Sequence, residues 1–252
     1  VTQPHGMVLI TGPTGSGKTT TLYATLEKIS NEKQKIITVE DPVEYQLDGI
    51  TQIQANASIG LGFAEGLRSI VRQDPDILMI GEIRDHETAE IAIESALTGH
   101  LVFSTLHTND AAGAVTRLQD MGVEGYLISS SLLAIQAQRL VRRVCTECAE
   151  THPLSLDEAR VLDIDSAECA EIRRGKGCER CGQTGYRGRV GLYELLLMSD
   201  EIRHQIASGA DANSIRDTAI KGGMRTLRQD ALEKLRAGLT TPEEVVRVTR
   251  AV

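Results

Sequence analysis

Short apolar runs alternate with segments of helical spacing over the first half of the chain. "MVLIT" (7–11), "KIITVE" (35–40), "DILMIGE" (76–82) and "LVFSTL" (101–106) have the length and composition of strands buried in a parallel sheet. Between and after them, "KTTTLYATLEKI", "GFAEGLRSIVRQ", "HETAEIAIESALTG", "AAGAVTRLQDMG" and "YLISSSLLAIQAQRLV" bring apolar residues back at helical intervals. This alternation predicts an α/β fold with a central, mainly parallel sheet covered by helices on both faces. From about residue 142 the pattern changes to a cysteine-containing, loop-rich stretch, then one strand-like run, "RVGLYELLLM", and several short helices. That predicts a second, mostly helical subdomain. No long internal repeat is visible.

The first chemical motif lies between the first predicted strand and the first predicted helix. "GPTGSGKT", Gly12–Thr19, matches G-x-x-x-x-G-K-[ST] in the strand–loop–helix context that a phosphate-binding P-loop requires. Its glycines let backbone N–H groups wrap phosphate oxygens, and the helix N-terminus adds a favourable dipole. Thr14, Gly15, Ser16, Gly17 and Lys18 form the cradle with Thr20 beside it, Lys18 reaches the outer phosphates of ATP, and Thr19 supplies a hydroxyl to Mg²⁺. Glu82, after "DILMIG", stands where a parallel strand delivers an acid to the metal, although glutamate replaces the more usual aspartate. Glu40, Asp41 and Glu44 follow another strand in "ITVEDPVEY" and are further candidates, with ordinary strand-end and turn residues as the plain alternative. His100 and His107 flank "LVFSTL". Their odd spacing argues against a shared metal, and His107, just past the strand, is placed to sense the γ phosphate.

Five cysteines add a second chemistry. Cys145 with Cys148, and Cys178 with Cys181, form two C-x₂-C knuckles separated by 29 residues. Paired knuckles of this kind predict a tetrahedral, structural Zn²⁺ site, and a helix such as "SLDEARVL" fills the long spacer. Cys169 has no partner at knuckle spacing and is expected to be simply a small residue.

The motifs in series resemble a known family. "GPTGSGKTTTLY", "ITVEDPVEY", "RQDPDILMIGEIRD" and "TGHLVFSTLHTND" are similar, in order and spacing, to the Walker A, Asp box, Walker B and His box of the ATPases of type II secretion and type IV pilus systems, in their GspE/PilB branch. The resemblance implies a RecA-like P-loop NTPase core at 1–141, a tetracysteine zinc-binding subdomain at 142–190 and a C-terminal helical region at 191–252. It implies an ATP- and Mg²⁺-dependent homo-hexamer in the cytoplasm, docked on the inner membrane through secretion-platform proteins and driving pseudopilus or pilus assembly. By position, Lys18 and Thr19 bind phosphate and Mg²⁺, Glu82 is the Walker B glutamate, Glu40 belongs to the Asp box and His107 to the His box. Glu82 is favoured over Glu40 as the residue that polarises the attacking water. The tetracysteine motif points to secretion or extrusion and away from retraction, with type II secretion preferred. Arg187 and Arg189 of "YRGR" face either a neighbouring subunit's nucleotide or solvent.

Composition narrows the alternatives. A chain of 252 residues, 41% hydrophobic and 25% charged, can bury a substantial core, and no apolar run reaches membrane-spanning length, so a soluble, cytoplasmic chain is expected. Acidic residues outnumber basic ones, 35 against 27, and no basic tract stands out, which counts against a nucleic-acid motor. No LSGGQ-like stretch marks an ABC-type ATPase. The start at Val1, within a few residues of the first strand, suggests a piece of a longer protein. The related proteins carry an upstream domain that gives arginines to the phosphates, so a chain without it is expected to bind nucleotide but turn over slowly, since an arginine finger is worth about 10³–10⁵ in rate. Incompleteness also leaves room for a non-catalytic interaction module.

Overall fold

The run Gly6–Thr11 forms strand β1, which ends directly on the glycine loop. The computed structural model describes residues 3–31, 33–165 and 171–249. After β1 come helix α1 (Lys18–Ile29), β2 (Ile36–Glu40), β3 (Thr51–Gln54), α2 (Phe63–Val71), β4 (Ile77–Ile80), α3 (His86–Leu97), β5 (Leu101–Leu106), α4 (Ala111–Asp120), α5 (Gly125–Ser131) and β6 (Leu132–Val144). Then follow β7 (Ala149–Pro153), α6 (Leu156–Leu162), β8 (Glu171–Gly175), β9 (Tyr186–Leu197), α7 (Asp200–Ala207), α8 (Ala212–Lys221), α9 (Leu227–Arg236) and α10 (Pro242–Thr249). The chain forms two compact units, one of residues up to Ala137 with Leu195–Met224, the other of Gln138–Glu194 with the chain from Arg225 on. These units interleave along the sequence, whereas the segments 1–141, 142–190 and 191–252 follow chain order.

In the first unit, β2, β4 and β5 are buried at every position, as expected of strands covered on both faces. Sheet order is β3-β2-β4-β5-β1-β6-β9, and every pairing from β3 across to β6 is parallel. Carboxyl ends of β1, β2, β4 and β5 therefore share one edge, where ligands of open α/β sheets bind. α1 turns Leu22, Tyr23 and Leu26 into an apolar cluster with Ile36, Met79 and Phe103. α3 and α4 start on aspartates that accept backbone N–H bonds, Asp85 from Thr88 at 2.8 Å and Asp110 from Gly113 at 2.6 Å.

In the second unit, β7 and β8 pair antiparallel on either side of α6. Glu244 on α10 is fully buried; its carboxylate accepts from the Arg142 backbone N–H at 2.7 Å and the Arg247 guanidinium at 2.7 Å. Burial pushes its pKa up, but Arg247 and Arg142 outweigh that and bring it down to about 2.

One helix expectation fails. "YLISSSLLAIQAQRLV" is helical only through Ser131, and the chain becomes extended at Leu132 to run as β6 beside β1, with Met7 against Leu132 and Thr11 against Ala137. Apolar residues at 133, 137, 140, 141 and 144 recur at i, i+4, i+7, i+8 and i+11, a helical spacing that a buried strand accommodates as well, so periodicity could not separate the two. Ser129, Ser130 and Ser131 bond back to the Tyr126 and Leu127 carbonyls, a substitute for helix propagation. β3, β7 and β8 were not foreseen, being short and largely exposed. Cys169 lies outside the described residues.

Candidate nucleotide and metal sites

Gly15 and Gly17 take φ of 77° and 88°, which side-chain-bearing residues rarely adopt, and Gly17 starts α1. The loop thus folds as its glycines require, with Thr14, Gly15, Thr19 and Thr20 exposed and Ser16 buried. Lys18 donates from Nζ to the Gly12 carbonyl at 2.8 Å and the Pro13 carbonyl at 3.2 Å, lying back along its own loop. Thr11, the last residue of β1, binds Thr108 side chain to side chain at 2.7 Å and accepts the Thr108 backbone N–H at 2.9 Å. This staples the segment carrying His107 to the start of the loop.

A cavity of about 320 Å³ opens at this edge, bordered by Thr14, Lys18, Thr19, Glu40, Glu82 and His107, with Arg84 and Phe63 completing one side. Of the predicted phosphate and acid residues, these converge; Asp41 and Glu44 also border the cavity, and Gly15, Ser16, Gly17, Thr20 and His100 do not. Glu82 lies two residues beyond the end of β4, past the strand predicted to include it. Its carboxylate pairs with the Arg84 guanidinium and lies 3.3 Å from His107 Nε2. Burial opposes ionisation of Glu82, but Arg84 first and His107 second outweigh it and hold the carboxyl below its ordinary range. Glu40 is buried and bound on both oxygens. The Tyr23 hydroxyl donates to Oε2, and Thr38 Oγ1 at 2.5 Å and Gln52 Nε2 at 3.0 Å donate to Oε1. Sequence reading gave no role to Arg84, Tyr23, Gln52 or Thr108. Arg84 adjoins the acid motif and could have been noticed; the others meet partners remote in sequence.

In the second unit, the Sγ atoms of Cys145, Cys148, Cys178 and Cys181 all lie within 4.8 Å of one another. The separations are 3.9 Å for Cys145–Cys178, 3.9 Å for Cys148–Cys181 and 3.7 Å for Cys178–Cys181. Four sulfurs held ~2.3 Å from a tetrahedral zinc stand about 3.8 Å apart, whereas a disulfide needs ~2.05 Å, so the quartet fits the metal and not a pair of disulfides. Cys181 Sγ accepts backbone N–H groups of Cys178 at 3.2 Å and Gly185 at 3.3 Å. Burial works against its thiolate, yet these two bonds bring it down to about 6, the direction a ligand needs. Gly185 is required here, since a Cβ on it would stand 2.4 Å from the Gly175 carbonyl oxygen.

A glycine loop after β1, with acids arriving from the ends of β2 and β4 in the same parallel sheet, defines a RecA-like P-loop NTPase core. The chain belongs to the type II/IV secretion system protein family, whose model matches residues 1–247. It is 50% identical over 250 residues to the type II secretion system ATPase E of Vibrio cholerae, covering 99% of this chain and 50% of that protein. Identity is 54% over 250 residues to the type II secretion system protein HxcR of Pseudomonas aeruginosa, 99% of this chain and 50% of that one. It is 52% over 248 residues to the type IV pilus assembly ATPase PilB of Thermus thermophilus, 98% of this chain and 28% of that one. Among solved structures, the Legionella pneumophila ATPase DotB superposes with TM-score 0.72 at 25% identity, over 99% of this chain and 61% of that one. The pilus retraction motor PilT with bound ADP gives 0.71 at 31% identity, over 98% and 62%. The chain spans about half the length of the secretion relatives it matches. Family and fold class thus agree with the sequence reading. Among the described residues, no helix is long and apolar enough to cross a membrane.

Proposed function

We propose that the chain is the motor domain of a type II secretion ATPase, binding and hydrolysing ATP with Mg²⁺ to drive pseudopilus assembly. The observation that carries this reading is the single cavity that collects Lys18, Thr19, Glu40, Glu82 and His107 from separate strand ends. Backbone N–H groups of Thr14–Lys18 and the Lys18 ammonium bind the phosphates. Thr19 and Glu82 are the side chains that would hold Mg²⁺, which when bound neutralises charge on the phosphate oxygens. Glu82 orients the attacking water and accepts its proton, because its carboxylate is only partly buried at the cavity, whereas Glu40 is buried and held by Tyr23, Thr38 and Gln52. His107 stands at one oxygen of Glu82 and Arg84 at the other, and together they hold the carboxylate in place. The four cysteines hold a structural Zn²⁺ within the segment 142–190, between the core at 1–141 and the helical region at 191–252.

Further parts of the proposal rest on the family: a cytoplasmic homo-hexamer, associated with the inner membrane through platform proteins and not with nucleic acid. Pilus assembly is the second reading, favoured by the 52% identity to PilB. Phosphate release from ATP, assayed with Mg²⁺ and with EDTA, tests the central claim. We expect Mg²⁺-dependent turnover that falls at least tenfold in Glu82→Gln while fluorescent-ADP binding persists, and binding that is lost in Lys18→Ala. Unchanged turnover in Glu82→Gln removes that residue from its role, and absence of nucleotide binding by the wild type overturns the reading.

A further inference from the structure

Tyr23 is fully buried on α1, among apolar side chains that a phenylalanine would satisfy equally well. Its hydroxyl is nevertheless engaged in every direction: it donates to Glu40 Oε2, accepts the Glu44 backbone N–H at 3.2 Å, and accepts from Gln52 Nε2 at 3.3 Å. The ring meets Tyr45 edge to face at 4.7 Å. Gln52 extends the same network, donating to Glu40 Oε1 at 3.0 Å and to the Tyr45 carbonyl at 3.2 Å, and accepting the Leu47 N–H at 2.7 Å. One hydroxyl therefore joins the helix that leaves the phosphate loop, the acid that closes β2, and the turn after β2 that borders the cavity. A buried hydroxyl with a carboxylate partner fixes that carboxylate far more tightly than solvent can.

We propose that Tyr23, supported by Gln52, is a positioning residue that sets where the Glu40 carboxylate and the Asp41–Leu47 turn stand at the phosphate cavity. It ties their position to that of α1, so that phosphate held by the loop and the acid on β2 keep one register. The proposal rests on the ATPase reading above. Removing the hydroxyl leaves nucleotide contacts intact and deprives Glu40 Oε2 of its donor and the Glu44 amide of its acceptor.

Tyr23→Phe is the test, in the intact chain, with three readings. With Mg·ATP we expect kcat to fall about tenfold while KM and fluorescent-ADP affinity stay within about twofold, a split that a general loss of folding does not produce. At the residual rate of Glu40→Gln, adding Tyr23→Phe brings no further loss, because the tyrosine acts through Glu40. In the nucleotide-free protein, amide exchange at Glu44 accelerates in Tyr23→Phe. Additive losses in the double variant, or kcat unchanged in Tyr23→Phe, overturn the proposal. Gln52→Met serves as the second variant if Tyr23→Phe does not fold, with the same split expected. A wild type that neither binds nor hydrolyses Mg·ATP defeats the ATPase reading and the catalytic part of this one; unchanged Glu44 exchange separately defeats the anchor.

Discussion

Glu244 shows how much one side chain can carry. It is anionic, fully buried and shared between Arg142 and Arg247, with Arg142 also lying 4.0 Å over the Tyr186 ring. Its folded pKa of about 2 lies below the ordinary 4.5, so the stability it contributes is complete above pH 4.5 and is lost as pH falls towards 2. Glu244→Gln should cost roughly 1–3 kcal/mol at neutral pH and flatten the acid limb, as read from denaturant midpoints across that range. Lys18, Thr19 and the four knuckle cysteines were legible because their chemistry demands fixed spacing within a few residues. Tyr23, Gln52 and Thr108 were not, since each matters through a partner between 12 and 97 positions away. Thr11→Val tests one such link: it leaves the Thr108 N–H without its side-chain acceptor, with an expected loss of about 1–3 kcal/mol in thermal or denaturant unfolding.

Elements were readable where one pattern excluded its rivals. α1, predicted as "KTTTLYATLEKI", occupies just those residues, because a glycine sets its start and its apolar face is regular. β6 was misread because its apolar residues fit two periods, and what decided the matter was the open edge of β1, a tertiary fact. β7 and β8 stayed hidden because neither has a buried face of its own; each is defined by the other. They lie beside the cysteine quartet, and the backbones of Gly175 and Gly185 approach too closely for any side chain. Gly185→Ala should therefore distort the clasp: we expect zinc content well below one per chain by elemental analysis, and earlier unfolding on heating. Chelation of the wild type should destabilise the second unit selectively, since structural zinc contributes on the order of 10 kcal/mol to small domains. Purified protein that never contained metal, yet folds with the same stability, would refute the clasp.

For the molecule as a whole, the spacing of motifs along the sequence indicated a nucleotide-driven motor, and the relatives place it in a secretion family. The convergence of β1, β2, β4 and β5 on one edge has a thermodynamic consequence. Side chains from positions 14 to 107 meet there only when the parallel strands are all in place, so the unfolded chain holds no fragment of the pocket. Whatever binds there binds the native state alone, and its binding energy becomes folding energy. Nucleotide at a hundredfold excess over its Kd should add about 2.7 kcal/mol of stability, making the melting temperature itself a titration of the site.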